Sequence, residues 1–200
     1  MYKTVRALLA ALFVPLFAIL STGCVPSPPA FKNTDVTGSD CCKDFRLSDH
    51  RGQVRTLADF RGKVVVMFFG YTQCPDVCPT TMMEMTAVLQ QLGADAQRVQ
   101  MLFVTVDPER DTQELLSHYV PAFHPSFIGL YGNLETTAAT AKAFRVFYQK
   151  QPGSTPNSYT VDHTAGSYVF DPQGRVRLFA RYGDGGANLA ADLRMLLKQG

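Results

Sequence analysis

The sequence contains no tryptophan, so the Trp-Cys opening common in dithiol redox motifs is excluded. A charge imbalance is missing too: 19 Lys and Arg against 17 Asp and Glu leave a formal charge of +2, without the basic footprint of a nucleic-acid binder. A comfortable bilayer crossing takes ~20 apolar residues. The one candidate run, Ala7 to Leu20, is shorter and is interrupted by Pro15. There is no internal repeat, and no local C-x-x-C or H-x-x-x-H partner that would complete a four-ligand zinc site. What remains is an ordinary globular balance, 46% hydrophobic and 18% charged over 200 residues, enough for one domain with a real core.

The N-terminal stretch MYKTVRALLAALFVPLFAILSTGC sets Lys3 and Arg6 before the apolar run and small residues up to Gly23, the pattern of a signal peptide over residues 1–23. Its end, LSTGC, resembles a bacterial lipobox, with Ser21 where that motif usually has a larger aliphatic residue. The resemblance implies lipidation of Cys24, which would begin the mature chain. The alternatives are a simple cleaved signal peptide and an uncleaved membrane helix. Residues 24–37 are Pro-rich and polar and read as an extended tether of about 3.1 Å per residue, followed by a folded domain over residues 38–200. Without Lys3 and Arg6 the formal charge falls close to zero. Setting Cys24 aside leaves Cys41, Cys42, Cys74 and Cys78, an even set suited to an oxidising compartment.

The domain opens with FRLSDHRGQVRTL, two alternating runs around a DHRG turn, which predicts a β-hairpin. KVVVMFF and MLFVTV are unbroken β-branched and aromatic runs, as expected of parallel strands buried on both faces. Between them Met82, Met85, Leu89 and Leu92 follow helical spacing. Asp111 with Glu114 resembles a capping box for a short helix that should stop at Pro121, and ETTAATAKAFRVF predicts another. YQKQPGSTPNSYTVD reads as a long polar loop delivering His163 to the strand GSYVF. DPQG is a type I turn into the strand RVRLFARY, and LAADLRMLLK is a last amphipathic helix. This order predicts an α/β, thioredoxin-like fold: a central mixed sheet flanked by helices, with an N-terminal β-hairpin addition. A fold of that kind does not by itself give a function.

Chemistry concentrates in GYTQCPDVCPT, where Cys74 and Cys78 are each followed by proline. Pro79 is a poor interior residue, so the helix is expected to begin there, with both sulfurs near its partially positive end, which favours thiolate. An inert disulfide closing so small a loop would stabilise little. A redox pair is the second reading, although its spacing is one residue longer than C-x-x-C. The third is a soft metal site: thiolates select cuprous copper, zinc or iron-sulfur clusters. Two sulfurs cannot complete tetrahedral zinc, whereas one added imidazole would suit three-coordinate copper.

Of four histidines, His50 reads as a solvated turn residue, and His118 and His124 as surface or packing groups. His163 stands where a loop enters a strand, beside Asp162, which could orient its ring. The residues alone leave its role open.

FFGYTQCPDVCPTTM, VTVDPERDT and VDHTAGSYVFDPQG, taken together and in this order, closely resemble the Sco/SenC family of copper proteins that serve cytochrome c oxidase assembly, over about Asp35 to the C-terminus. The resemblance implies copper bound by Cys74, Cys78 and His163. It also implies a membrane-tethered domain in the periplasm, and copper delivery to, or thiol reduction in, the binuclear copper site of oxidase subunit II. Other periplasmic copper chaperones or thiol reductants would be further partners. The competing readings are a thiol:disulfide oxidoreductase, with or without peroxidase activity, acting through Cys74 and Cys78, and an extracytoplasmic copper or redox sensor.

Three features stand beside this. Met82 and Met85 fit core packing better than thioether ligation. Asp111 reads as a helix cap, and Asp107 with Arg110 as a loop ion pair or partner contact. Cys41 and Cys42 depart from the family pattern. They read as solvated or structural thiols, with an accessory metal site, a vicinal disulfide or a relay to Cys74 and Cys78 as alternatives.

Overall fold

The computed structural model describes residues 30–156 and 158–199. Cys24, the signal segment and the first part of the tether lie outside the described residues. Its last part is not a free tether, because the Lys32 and Asn33 N–H groups donate to the Asp192 carboxylate and Thr34–Asp35 pair antiparallel with Leu178 and Phe179. The domain therefore begins before residue 38. Within the domain the strands are β1 Thr34–Asp35, β2 Leu47–Asp49, β3 Val54–Arg55 and β4 Val64–Gly70, followed by helix α1 Val77–Leu92. Then come β5 Val99–Thr105, α2 Gln113–Phe123, β6 Ile128–Tyr131 and α3 Leu134–Ala143. The chain continues through β7 Tyr148–Pro152, β8 Tyr159–His163, β9 Gly166–Phe170, β10 Val176–Arg181 and α4 Gly186–Gln199.

Eight strands form one mixed sheet in the order β1-β10-β9-β4-β5-β6-β2-β3. The two apolar runs become β4 and β5, paired in parallel and buried at every position. The expected N-terminal hairpin is β2–β3, docked antiparallel on β6 at the sheet edge. The DPQG turn closes with Gly174 N–H donating to the Asp171 carbonyl at 2.8 Å, and Gly174 takes φ +76°, which a side chain would resist. Helices α1 and α4 pack on each other, with Met82 and Met85 enclosed as core residues and Met83 exposed. Phe68 meets Phe103, which meets Tyr119 of α2, while the next residue, Phe69, packs on Phe144 just past α3. Successive strand residues face opposite ways, so these contacts mark the two faces of the sheet. The architecture is the expected thioredoxin-like α/β fold.

Local departures have simple causes. Helix α1 begins at Val77 rather than Pro79, because a helix's first four N–H groups lack intrahelical partners and a proline there forfeits nothing. Helix α2 runs past Pro121 to Phe123 and is capped by Thr112, whose side chain accepts from Leu115 N–H at 3.2 Å. Asp111 is therefore not the cap. Helix α3 stops at Ala143, where Arg145 turns to φ +53°. The strand β6 was not expected. YQKQPGSTPNSYTV is not a loop but the β7–β8 ribbon, closed by Gly153 N–H donating to the Ser158 carbonyl. His50 is 5% exposed rather than solvated, and its Nδ1 accepts from Gly129 N–H at 2.9 Å.

Candidate metal centre

Three elements converge on one point. Strand β4 ends at Gly70, a turn through Tyr71 to Gln73 presents Cys74, and the first turn of α1 carries Cys78. Cys78 is fully enclosed and Cys74 is half-buried. Gly70 makes this approach possible, since a Cβ there would lie 2.8 Å from Cys78 Sγ and 2.7 Å from the Phe68 ring. A lone glycine at a strand end beside the cysteine motif was a readable sign of close approach. His163 arrives from the end of β8, its Nε2 3.4 Å from Cys78 Sγ. The ring stands edge-on to Phe68 and Tyr71, with centroids at 5.8 and 6.0 Å. The donor atoms of Cys74, Cys78 and His163 all lie within 4.8 Å of one another. The other three histidines are elsewhere: His50 in the β2–β3 turn, His118 exposed on α2, and His124 held by Ser126.

The tautomer suits ligation. Nδ1 of His163 lies 3.2 Å from the Thr164 carbonyl, which can only accept; a hydrogen on Nδ1 leaves the Nε2 lone pair facing the sulfurs. Thr164 thus takes the orienting role expected of Asp162, which faces away and accepts from Gln151 at 2.9 Å. Burial lowers the His163 pKa, against smaller opposing effects of the Thr164 carbonyl and Asp162 charge, and keeps the ring neutral. Burial also pushes the Cys78 thiol well up, the Tyr71 backbone opposing it only in part. The helix N-terminus therefore does not make Cys78 a free thiolate, contrary to the expectation from its position. A soft cation must displace its proton.

The DPER segment explains how His163 is held. Tyr159 donates to Asp107 at 2.8 Å, and Arg110 pairs with Asp107 at 2.5 Å, the expected loop ion pair. Arg110 also donates to the Tyr159 carbonyl at 2.9 Å and to Gln73 at 3.1 Å. Its guanidinium thereby bridges the cysteine turn and the ribbon. Lys150 adds an ion pair to Glu109 and sits over the Tyr159 ring. Beneath, the buried Asp111 carboxylate accepts from Thr72 N–H, Thr72 Oγ1 and Thr105 Oγ1, fixing the turn to β5.

Ligands around one ion, at about 2.3 Å for sulfur and about 2 Å for nitrogen, sit roughly 3.5–4 Å apart, so this trio needs only small adjustments to hold one. Architecture and pocket together put the chain among thioredoxin-like domains whose dithiol and imidazole can hold a soft metal. A model of the SCO1/SenC family matches residues 34–198, and the chain belongs to that family. Bovine protein SCO2 homolog, mitochondrial, is 45% identical over 141 residues, covering 70% of this chain and 52% of the relative. The chain spans about half the length of the curated relatives it matches. Bradyrhizobium japonicum ScoI with copper bound superposes with a TM-score of 0.71 at 39% identity, covering 77% of this chain and 98% of that one. Apo Sco1 from Thermus thermophilus gives 0.74 at 42% identity, with 84% and 98% covered.

Proposed function

We propose that this protein is a copper carrier in cytochrome c oxidase assembly, holding one copper ion between Cys74, Cys78 and His163 for delivery to the binuclear copper site of oxidase subunit II. The observation that carries this reading is the convergence of two sulfurs and one imidazole nitrogen within 4.8 Å of one another. The copper-bound relative supports the choice of metal, and thiolates favour its cuprous form.

Each residue has a separate task. Cys78, enclosed, exchanges its proton for the ion; Cys74, half-exposed beside a cavity of about 320 Å³, faces the route by which a client thiolate approaches. His163 supplies a neutral nitrogen from a ribbon outside the main sheet. Loading releases thiol protons and weakens as pH falls. In this reading Cys24 carries a lipid, and the segment from Cys24 to the start of the docked residues at Lys32 tethers the domain to a bacterial membrane on its periplasmic side. Among the described residues no helix is long and apolar enough to cross a membrane.

A thiol:disulfide oxidoreductase is the second reading, favoured by the pairing of a half-exposed Cys74 with an enclosed Cys78, which suits an attacking and a resolving thiol. Anaerobic competition for cuprous ion against a chromogenic chelator separates the two. Cys74→Ser with Cys78→Ser should bind one copper fewer per chain than the parent. His163→Ala should bind roughly tenfold more weakly or worse, a loss of about 1.4 kcal/mol or more. Equal copper content in the parent and the paired variant overturns the carrier reading. An oxidoreductase would instead turn over a disulfide substrate at full rate with His163→Ala and no copper present.

A further inference from the structure

We propose that Cys41 and Cys42 form a second site, for a soft monovalent cation such as cuprous copper, on the sheet face opposite Cys74 and Cys78. Neighbouring side chains of an extended strand point opposite ways, so consecutive cysteines do not ordinarily share a ligand. Cys42 breaks that rule. It takes φ +62°, a left-handed conformation rare outside glycine, and turns to the same cavity as Cys41. Both are free and buried, at 8% and 2% exposure, and both line one cavity of about 690 Å³. An ion entering that cavity meets two sulfurs.

The surroundings match the charge of the complex. Two thiolates around a monovalent cation carry one net negative charge, and two protons leave as the ion enters. Lys43, Arg175 and Arg177 line the same cavity, and the Arg145 charge also favours a Cys42 thiolate. Arg175 and Arg177 share a single carboxylate, Asp171, so the lining stays net positive. Ser39 Oγ lies 3.4 Å from Cys41 Sγ, and the Phe144 carbonyl 3.9 Å from Cys42 Sγ, which frames the thiols with polar groups.

The site is separate from the first. Cys42 N–H donates to the Ala143 carbonyl, and its thiol packs at Phe144, whose ring meets Phe69. Cys78 lies against Gly70 and Phe68 on the other face. The sheet stands between the pairs, so a direct thiol relay is excluded.

The test uses the full chain with Cys24→Ser throughout, reduced, and cuprous ion as the probe. With Cys74→Ser and Cys78→Ser added, one copper per chain should remain, and X-ray absorption should report two sulfur neighbours. Adding Cys41→Ala and Cys42→Ala should abolish it. Absence of retained copper, or retained copper with only nitrogen and oxygen neighbours, overturns the proposal. Should the first site be wrongly assigned, parent and Cys74→Ser/Cys78→Ser would hold equal copper, while the two-sulfur signal would still report on Cys41 and Cys42. The absorption measurement needs no substitution at the buried pair, so a misfolded alanine variant does not obscure the result.

Discussion

The guanidinium of Arg110 lies 3.5 Å from the centre of the Tyr159 ring, on the strand that ends in His163. It also pairs with Asp107 and donates to the Tyr159 backbone. The DPER loop thereby holds the ribbon over the sulfurs.

Removing that hold should free the imidazole. Arg110→Ala is expected to weaken cuprous binding about tenfold or more, since a desolvated cation–π contact contributes about 1–2 kcal/mol and a charged hydrogen bond a similar amount. Arg110→Lys keeps charge but loses the fork and should recover only part of the affinity. In the His163→Ala background the Arg110 substitution should add nothing further. Independent, additive effects in that double variant would show that Arg110 does not act through His163.

Asp111 is 1% exposed and satisfies donors from Thr72 and Thr105. Asp111→Ala strands them in a dry site, and urea unfolding of the apo protein should show a loss of about 2–4 kcal/mol. Burial raises the Asp111 pKa despite those hydrogen bonds, so the neutral Asp111→Asn should be milder. An alanine variant as stable as the parent would mean the network is not holding the turn.

His50 supplies a pH dependence. Burial, with the Arg51 charge, lowers its pKa, and its Nδ1 accepts a backbone hydrogen bond that protonation would break. The native state therefore holds it neutral while the unfolded chain gains a proton below about pH 6.5. Stability from this residue is complete above that pH and is lost as pH falls towards the lower native pKa. Apo His163 acts in the same direction. Urea midpoints at pH 7.5 and 5.5 should differ more for the parent than for His50→Gln; equal differences would remove His50 from the account.

Gly70→Ala places a methyl against Cys78 Sγ and Phe68. Overpacking of this kind typically costs about 1–3 kcal/mol. Here it should also displace a sulfur, so cuprous affinity falls together with stability. Gly132→Ala, which meets Thr136 and Leu47 instead, should lower stability alone. Unchanged copper affinity in Gly70→Ala would separate that glycine from the site.

Period and composition made the central strands, the N-terminal hairpin, the last helix and the enclosed Met82 and Met85 readable. The spacing of Cys74 and Cys78 marked the site, and the family resemblance added His163. The missed elements are those whose signal is not periodic. The β7–β8 ribbon turns only Tyr148, Tyr159 and Val161 towards the core, and the Pro, Gly and Ser residues from Pro152 onward are turn formers, so its brief alternation was outweighed by a loop signal. Strand β6 has four residues, too few for a pattern. Asp111 was misread because a local capping box and a long-range buried acceptor use the same residue type. Cys78 was misread because position on a helix is visible in sequence, whereas enclosure is not.

Ribbon β7–β8 shares no ladder with the eight-stranded sheet, although His163 sits at its end. The nitrogen donor can therefore swing away without breaking a ladder of the main sheet, once Val161 leaves the core and the Arg110 and Asp107 contacts to Tyr159 part. In the carrier reading, cargo lifetime becomes adjustable through the ribbon and its Arg110 latch, with the main sheet left as it is.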